Sequence, residues 1–353
     1  MTESAELDTV AAELVRERRY AAIEAITPYL PGLDGPARTD IIGLCRFAIE
    51  VLELDAEDFD TLRGVPPDLL AMVQRAHIPK RPDAADRGAL TSLVPTYRLF
   101  LEVLAVRWDR GELSSVLAVV HLISEYLPLL AWEPVLGHAG DPARLGTAVA
   151  GPGSRWGTDD RECDHPPAIR RALRSALELP AEDTERWDRY LDRDHSRVSG
   201  ALGQCASHAR RGRPEPTRTC TDPCSVWTRL EPSLAQDLER RMTLVGVFAN
   251  SPVLALRHAA PVGHGFGVPD RRELLEDWEE TWARLTRPWA DGVNPLAGVP
   301  AAGEPLPGLA SFLSVVAGIE LTPLGVLDRV DELLALRLEV TAEVAQAASA
   351  HGG

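Results

Sequence analysis

The sequence contains almost no lysine. Lys80 is the only one among 37 basic residues in a chain of 353, and it lies in the segment AHIPKRPD, which reads as a proline-containing turn. A phosphate-binding loop needs a lysine that reaches the terminal phosphates, and a pyridoxal phosphate enzyme needs one for the Schiff base. We therefore predict that the protein has no P-loop nucleotide site and does not use pyridoxal phosphate.

Several other catalytic signatures are missing. The chain has no GxSxG, HExxH or SxxK motif, and no GxGxxG placed between a strand and a helix. The glycine-rich run at 263–267 follows a helical pattern and a proline, so we interpret it as a loop. The common hydrolase, zinc protease and dinucleotide-binding classes are therefore not indicated.

Basic residues are also fewer than acidic ones. The chain has 37 Lys and Arg against 53 Asp and Glu, a net charge of −16, and this field repels phosphate backbones and anionic lipid. No run of about 18 uncharged apolar residues occurs, and the N-terminus lacks the basic-then-apolar order of a secretory signal. We expect a cytoplasmic protein with neither nucleic acid nor membrane as its main partner.

Apolar residues recur mainly at helical spacing. Leu230, Leu234, Leu238, Met242 and Val245 are separated by three or four residues, and strand patterns are short and isolated. We predict an all-α fold, with helical bundles joined by long central loops that are rich in Gly and Pro.

We predict three regions along the chain. An N-terminal helical bundle covers 1–133, a loop-rich Cys/His region with one or two helices covers 134–226, and a C-terminal helical region covers 227–353. In the last region, the segment Asn250-Ser251-Pro252 predicts a helix stop or kink. Trp278 and Trp282, four residues apart, are interpreted as a packing pair.

One segment, 113–132, is apolar on nearly every face, which predicts a central helix. It nevertheless contains His121, Glu125 and Tyr126. His121 and Glu125 share a helix face, and burying them costs several kcal/mol unless they are paired, hydrogen-bonded or bound to an ion. They form either a satisfied core pair or the edge of a pocket, and in the second case these three residues are the candidate catalytic groups.

The polar and aromatic character continues beyond this segment. Trp132, Glu133 and His138 follow it toward the loop, as would be expected at the mouth of a pocket. We name His138 and His195 as candidate cofactor-binding residues, for example as ligands of a haem iron.

The central region concentrates cysteine and histidine at short spacings. Two close pairs of such residues, brought together by the fold, can bind zinc, and four thiolates can hold an iron–sulfur cluster. A coincidence of unrelated cysteines is the alternative. The candidate ligands are Cys163, His165, Cys205, His208, Cys220 and Cys224. The fifth cysteine, Cys45, lies in an apolar helix and is interpreted as a small core residue.

Two functions from different classes follow from these features. The first is a metal-centred helical protein with haem, iron–sulfur or zinc, acting as a small-molecule enzyme with a pocket near His121 and Glu125. The second is a non-enzymatic helical module that zinc stabilises and that binds a protein partner. A metal-free regulatory helical protein is a third possibility. The sequence favours the enzyme, because a buried His/Glu pair is a poor choice for scaffolding.

Overall fold

The computed structural model describes residues 3–55, 62–149, 174, 184–190, 195–207, 230–259, 267, 269–290 and 293–351. Within these ranges the regular secondary structure is helical and no strand occurs. The predicted all-α class is therefore confirmed. The predicted long Gly/Pro-rich central loops fall largely outside the described residues and stay a prediction.

Fourteen α-helices lie in the described residues. They are α1 (Glu3–Arg16), α2 (Tyr20–Ile26), α3 (Gly35–Glu53), α4 (Pro67–Gln74), α5 (Val94–Asp109), α6 (Leu113–Leu136), α7 (Pro142–Val149), α8 (Thr184–Arg189), α9 (His195–Ser207), α10 (Pro232–Ala249), α11 (Pro252–Ala259), α12 (Arg271–Thr286), α13 (Leu309–Ala317) and α14 (Val326–His351). Short 3-10 helices occupy Thr27–Tyr29 and Gly88–Leu90.

The chain divides into two compact units. Unit 1 combines residues 1–77 with 324–353, and unit 2 is residues 78–323. The three regions predicted above rest on sequence patterns alone and stay a prediction.

Unit 1 packs the two ends of the chain together. The C-terminal helix α14 contacts α1, α3 and α4, and α2 contacts α1 and α3. A polar cluster reinforces this packing: Arg18 Nε and Tyr20 Oη each donate to a carboxylate oxygen of Asp331, at 2.8 Å in both cases. The Arg18 guanidinium also pairs with Asp328.

A glycine in the middle of α3 marks a close backbone approach in unit 1. A Cβ atom on Gly43 would lie 1.8 Å from the carbonyl oxygen of Arg63, although helix propensity alone favours alanine over glycine by about 1 kcal/mol. We expect Gly43→Ala to destabilise unit 1 by roughly 1 to 3 kcal/mol, because the 62–64 segment must move. Urea unfolding measures this, with Gly35→Ala in the same helix as control, since no atom lies within 4 Å of that Cβ. A Gly43→Ala variant at least as stable as the wild type would contradict the contact.

Unit 2 is built around α6. This helix contacts α5, α9, α10, α11 and α13, and the apolar side chains that it buries include Val116, Ile123, Leu127 and Trp132. A positive φ of 70° at Gly137 ends it. The predicted central helix is therefore present, and it extends to Leu136.

By length and composition alone, α6 is also the one helix in the described residues that could cross a membrane, with 44% of its most apolar window buried. The core helix of a protein that never meets a membrane passes the same test. The expectation that membranes are not a partner, like the expected cytoplasmic location, stays a prediction.

Two local predictions for the C-terminal part are confirmed. Helix α10 ends at Ala249 and α11 begins at Pro252, so the Asn-Ser-Pro segment interrupts the helical path. Trp278 and Trp282 stack with ring centroids 6.5 Å apart. The indole N–H of Trp278 donates to the carbonyl oxygen of Pro307 at 2.9 Å, so the pair packs against the segment before α13.

Candidate functional site

Several long-range hydrogen bonds meet at the turn formed by residues 138–141, directly after α6. We call it the histidine turn (His138, Ala139, Gly140 and Asp141). Its backbone is held from three sides: Ala139 N–H donates to the Leu90 carbonyl at 2.9 Å, His195 Nε2 contacts the Ala139 carbonyl at 3.3 Å, and the Tyr190 hydroxyl donates to the Gly140 carbonyl at 2.7 Å. The turn is therefore fixed in position by groups far from it in sequence.

A buried ion pair anchors the end of the turn. Arg87 donates to both carboxylate oxygens of Asp141, at 2.9 and 3.1 Å, and the Asp141 side chain is only 2% exposed. The same carboxylate accepts from Ala143 N–H at 3.1 Å, at the start of α7. The Arg87 guanidinium lies 5.1 Å from the ring centroid of Trp187. Since both carboxylate oxygens are occupied, Asp141 has a clear structural role.

Gly140 lets the turn approach its neighbours closely. Its φ is +79°, and a Cβ atom there would lie 2.8 Å from Leu129 Cδ2 and 3.6 Å from His195 Nε2. A residue with a side chain would be strained in this backbone conformation and would push against the core of α6.

His138 is buried, with 1% of its surface exposed. Its Nδ1 accepts a hydrogen bond from Asp141 N–H at 2.9 Å, so a neutral ring must carry its proton on Nε2. That Nε2 is buried and has no hydrogen-bond partner in the described part of the chain. Burial, together with the nearby Arg144 guanidinium, lowers the pKa of His138 to about 4. At neutral pH the ring therefore presents an unused N–H donor.

His195, the first residue of α9, is fully buried. Its Nε2 must carry the proton, because the partner is the Ala139 carbonyl oxygen. Its Nδ1 then holds a lone pair that meets no hydrogen-bond donor among the described residues. Burial lowers the pKa of His195 to about 4. His138 and His195 are thus the same tautomer, but one leaves an N–H unused and the other a lone pair.

Aromatic rings surround His195 in a continuous row. The ring of Tyr126 lies 5.1 Å from that of His195, the ring of Tyr190 lies 5.5 Å from it, and Trp187 stacks on Tyr190 at 5.7 Å. We call His138, His195, Tyr126 and Tyr190 the histidine cluster. It brings together one predicted catalytic residue, Tyr126, and both predicted cofactor-binding histidines.

Helix α9 is held against α6 by two hydrogen bonds to backbone carbonyls. Ser199 Oγ donates to the Glu125 carbonyl at 2.7 Å, and Trp132 Nε1 donates to the Leu202 carbonyl at 3.1 Å. These contacts place His195 beside Tyr126. The second bond gives Trp132 a structural role, whereas the sequence predicted that Trp132 lies at the mouth of a pocket.

Glu133, also predicted at a pocket mouth, caps α5 instead. Its carboxylate accepts from the Ser92 hydroxyl at 2.5 Å and from Leu93 N–H at 2.9 Å. Burial raises the pKa of Glu133, and the two hydrogen bonds oppose this rise. Both oxygens are engaged at the start of the helix, as expected for a carboxylate near a helix N-terminus.

His121 and Glu125 form the predicted pair on α6. His121 Nε2 lies 3.2 Å from Glu125 Oε1, and the two side chains are 20% and 36% exposed. From the sequence, the pair was either a satisfied core pair or the edge of a pocket. The helix instead places both residues on a half-buried face, so water reaches them and the cost of their burial is smaller.

We expect His121→Ala to change the free energy of unfolding of unit 2 by less than about 1 kcal/mol, because a partly exposed polar pair contributes little. Ile123→Ala on the same helix is the control: its side chain is fully buried, and its truncation should cost roughly 2 to 5 kcal/mol. Thermal melts of both variants measure the difference. Equal losses would show that His121 belongs to the core.

The predicted metal ligands lie mostly outside the described residues. This applies to Cys163, His165, His208, Cys220 and Cys224, whereas Cys205 belongs to α9 by its backbone and its side chain is not described. Among the described residues, no group of three or more His, Cys, Asp or Glu side chains could hold a metal ion. The metal centre therefore stays a prediction.

The prediction for Cys45 is confirmed. Its side chain is fully buried in unit 1, and burial raises the pKa of the thiol to about 12. It is an inert core residue rather than a candidate ligand.

Four residues of the site were missed by sequence reasoning: Arg87, Asp141, Tyr190 and Trp187. Only Asp141 carried a local signal, because it directly precedes Pro142 at the start of a helix. The other three act across 50 or more residues, as in the 54-residue separation of Arg87 and Asp141. No pattern in one sequence encodes such a pairing.

Comparison with known proteins found no match for this chain among protein-family models, curated proteins or solved structures. Any functional assignment therefore depends on the geometry of the site itself.

Proposed function

We propose that the protein is a small-molecule enzyme, and that the histidine cluster of unit 2 is its reacting site. One observation carries this proposal: the fully buried Nδ1 of His195 holds a lone pair for which the described residues provide no donor. His121 and Glu125, which lie five residues and one residue before Tyr126 on α6, are the second polar pair that a bound molecule could meet.

The two buried histidines cost free energy that apolar side chains in their place would not. A buried polar atom without a partner costs roughly 1 to 3 kcal/mol, and native proteins contain few of them. His138 and His195 each contribute one such atom beside the same turn. A ligand that forms hydrogen bonds with both atoms would recover this free energy. Phenylalanine at positions 138 and 195 would avoid the cost without any ligand.

The chemistry that these groups support is proton transfer. The lone pair on His195 Nδ1 can accept a proton from a substrate, and His138 Nε2–H can donate to an oxygen on which negative charge develops. His195 is a weak base in this structure, because burial disfavours its charged form. A negative charge that develops beside it would favour the imidazolium and strengthen the base.

The metal-centred version of the enzyme would use His195 rather than His138. Histidines that bind metals usually donate their other ring N–H to a carbonyl or carboxylate, as His195 does to Ala139. His138 Nδ1 accepts from a backbone N–H, so its Nε2 is protonated and cannot bind a metal in this tautomer. Further ligands would come from the predicted Cys/His set. The alternative, a zinc-stabilised partner-binding module, depends on that set alone.

Ligand-observed NMR with a panel of small molecules tests the proposal. Wild-type protein is compared with His195→Phe and with a matched control, Tyr97→Phe, whose buried hydroxyl donates to the Ile123 carbonyl at 2.7 Å. We expect some compounds to bind the wild type and the control but not His195→Phe. If the three proteins bind the same compounds, or none binds any, the proposal is wrong.

Elemental analysis of the same proteins separates the metal-centred version from metal-free proton transfer. The metal-centred version predicts about one zinc or iron site per chain, with less metal in His195→Phe. If protein made in metal-replete cells contains no metal but still binds small molecules through His195, metal-free proton transfer is the reaction class.

A further inference from the structure

His195 is fully buried, with 0% of its surface exposed, so a molecule can reach its Nδ1 only if a neighbouring element moves. Three described elements lie against the ring: α6 through Tyr126, the histidine turn through the Ala139 carbonyl, and Tyr190 at the end of α8. Access to the site therefore depends on which of these three opens at the lowest free energy.

Helix α6 and the histidine turn are firmly held. Helix α6 packs against five other helices of unit 2. The turn is fixed by the buried ion pair of Arg87 with Asp141 and by the hydrogen bond from Ala139 N–H to the Leu90 carbonyl. Helix α9, which carries His195, contacts both α6 and α10. Moving any of these elements would disrupt the core of unit 2.

The segment 184–190 is attached more lightly, and we call it the strap. It consists of the six-residue helix α8 and Tyr190. Within 185–190 only Trp187 and Tyr190 are buried, and the other side chains are exposed. The two buried residues lie three positions apart, so they share one face of the strap. Because a helix this short is not stable by itself in water, the strap depends on these two rings for its position.

Hydrogen bonds to two backbone carbonyls fasten the rings of the strap. The indole N–H of Trp187 donates to the Pro79 carbonyl at 3.0 Å, and the Tyr190 hydroxyl donates to the Gly140 carbonyl at 2.7 Å. The Trp187 ring also lies 5.1 Å from the Arg87 guanidinium. Water can hydrogen-bond to both carbonyls once the strap has lifted, so opening leaves neither of them unsatisfied.

We propose that the strap opens as a unit over His195, while the histidine turn and α9 stay in place, and that this opening admits small molecules to the site. Segments that bury few side chains open locally at a lower free energy than the whole domain. The ion pair of Arg87 with Asp141 and the contact of His195 with Ala139 do not involve the strap, so they survive its opening. That an admitted molecule reacts at His195 rests on the proposed function, whereas the opening itself does not.

Diethyl pyrocarbonate measures the opening, because it acylates imidazole rings that are both exposed and unprotonated. The lone pair of a ring nitrogen attacks one carbonyl carbon of the reagent, so an N–C bond forms and the C–O bond to the central oxygen breaks. The other half leaves as ethyl carbonate, which takes up the ring proton and decomposes to ethanol and carbon dioxide. At pH 7 the His195 ring is neutral, so its labelling rate reports on exposure alone.

Peptide mapping by mass spectrometry of the full-length protein follows the labelling of His195, with the partly exposed His121 as internal reference. We expect His195 to be labelled more slowly than His121. Urea concentrations below the unfolding transition should hardly change the His195 rate, because opening of the strap exposes little surface.

A matched pair of variants separates opening of the strap from unfolding of unit 2. Tyr190→Phe keeps the ring but removes the hydrogen bond to the Gly140 carbonyl, so it should speed the labelling of His195 by roughly tenfold. Tyr97→Phe loses a hydrogen bond of the same length, 2.7 Å, to the Ile123 carbonyl on α6. It should leave the labelling of His195 unchanged, and neither variant should change the rate at His121.

Equal acceleration in both variants would show that His195 is exposed only when unit 2 unfolds, and it would overturn the proposal. Labelling that rises with urea in parallel with global unfolding, or no labelling of His195 at all, would overturn it too. If Tyr190→Phe fails to fold, the urea dependence of the wild type decides.

The labelling experiment uses no ligand, so its failure is distinct from that of the proposed function. If the strap opens but no compound binds through His195, the strap stands and the proposed function fails. If compounds bind through His195 but the strap does not open, the proposed function stands and this route of access is wrong.

Discussion

Replacing Arg87 with alanine is expected to destabilise unit 2 by roughly 3 to 5 kcal/mol, because the carboxylate of Asp141 would be left buried without its counter-charge. Asp141 is 2% exposed, and the guanidinium of Arg87 engages both of its oxygens. The loss of the pair also frees the turn that carries His138. Urea unfolding followed by tryptophan fluorescence measures the effect, since the guanidinium lies over the ring of Trp187.

A surface pair with similar chemistry provides the matched control. Arg81 and Asp83 lie 3.0 Å apart, but their side chains are 72% and 52% exposed. Arg81→Ala should therefore cost less than about 1 kcal/mol. The double replacement Arg87→Met with Asp141→Leu removes both charges and should be more stable than Arg87→Ala alone. If Arg87→Ala is no more damaging than Arg81→Ala, the ion pair does not hold the turn.

Mild acid is expected to destabilise unit 2 steeply. Burial lowers the pKa of His138 and of His195 from 6.5 to about 4 in the folded protein, so the unfolded chain binds more protons between these values. The stability that depends on the neutral rings is fully present above pH 6.5 and is lost as the pH falls toward 4. The loss is roughly 3 kcal/mol for each histidine.

Unfolding free energies from pH 7.5 to pH 4.5 measure this dependence, and the variants isolate its source. His195→Phe should have a shallower pH dependence than the wild type, because one titrating ring is gone. Tyr97→Phe, which leaves both buried histidines in place and removes only a hydroxyl that donates to the Ile123 carbonyl, should keep the wild-type slope. His77, which belongs to unit 1, is half-buried, and desolvation lowers its pKa to about 4 as well. Probes in unit 2 such as Trp187 are therefore needed. Identical slopes for the wild type and His195→Phe would contradict a neutral, buried His195.

Helical periodicity predicted the fold class because helices follow from local spacing. The central position of α6 could be read from its apolar faces, and the break before Pro252 from the chemistry of proline. Long-range pairing was not predictable. Whether Arg87 meets Asp141 depends on how α6 and the following turn pack, and 54 residues separate the two side chains.

The candidate site, too, could be predicted from the sequence only in part. The sequence singled out His138, His195 and Tyr126 because polar and aromatic residues near an apolar helix are unusual. It favoured His121 and Glu125 as catalytic residues because they are four residues apart on that helix. Their burial depends on the angular position of a helix face, which sequence spacing does not determine, and the structure leaves both partly exposed. The tautomers of the two buried histidines follow only from the backbone groups that meet them.

The central claim is that His138 and His195 are neutral and share the Nε2–H tautomer. His138 then leaves its Nε2–H unused, and His195 leaves its Nδ1 lone pair unused. Long-range proton–nitrogen correlation spectra of protein labelled with ¹⁵N-histidine test it most directly, since the chain has only nine histidines to assign. The account predicts that at pH 7 both rings carry their proton on Nε2 and that Nδ1 of each is unprotonated. A doubly protonated ring at that pH, or a proton on Nδ1 of either histidine, would contradict it.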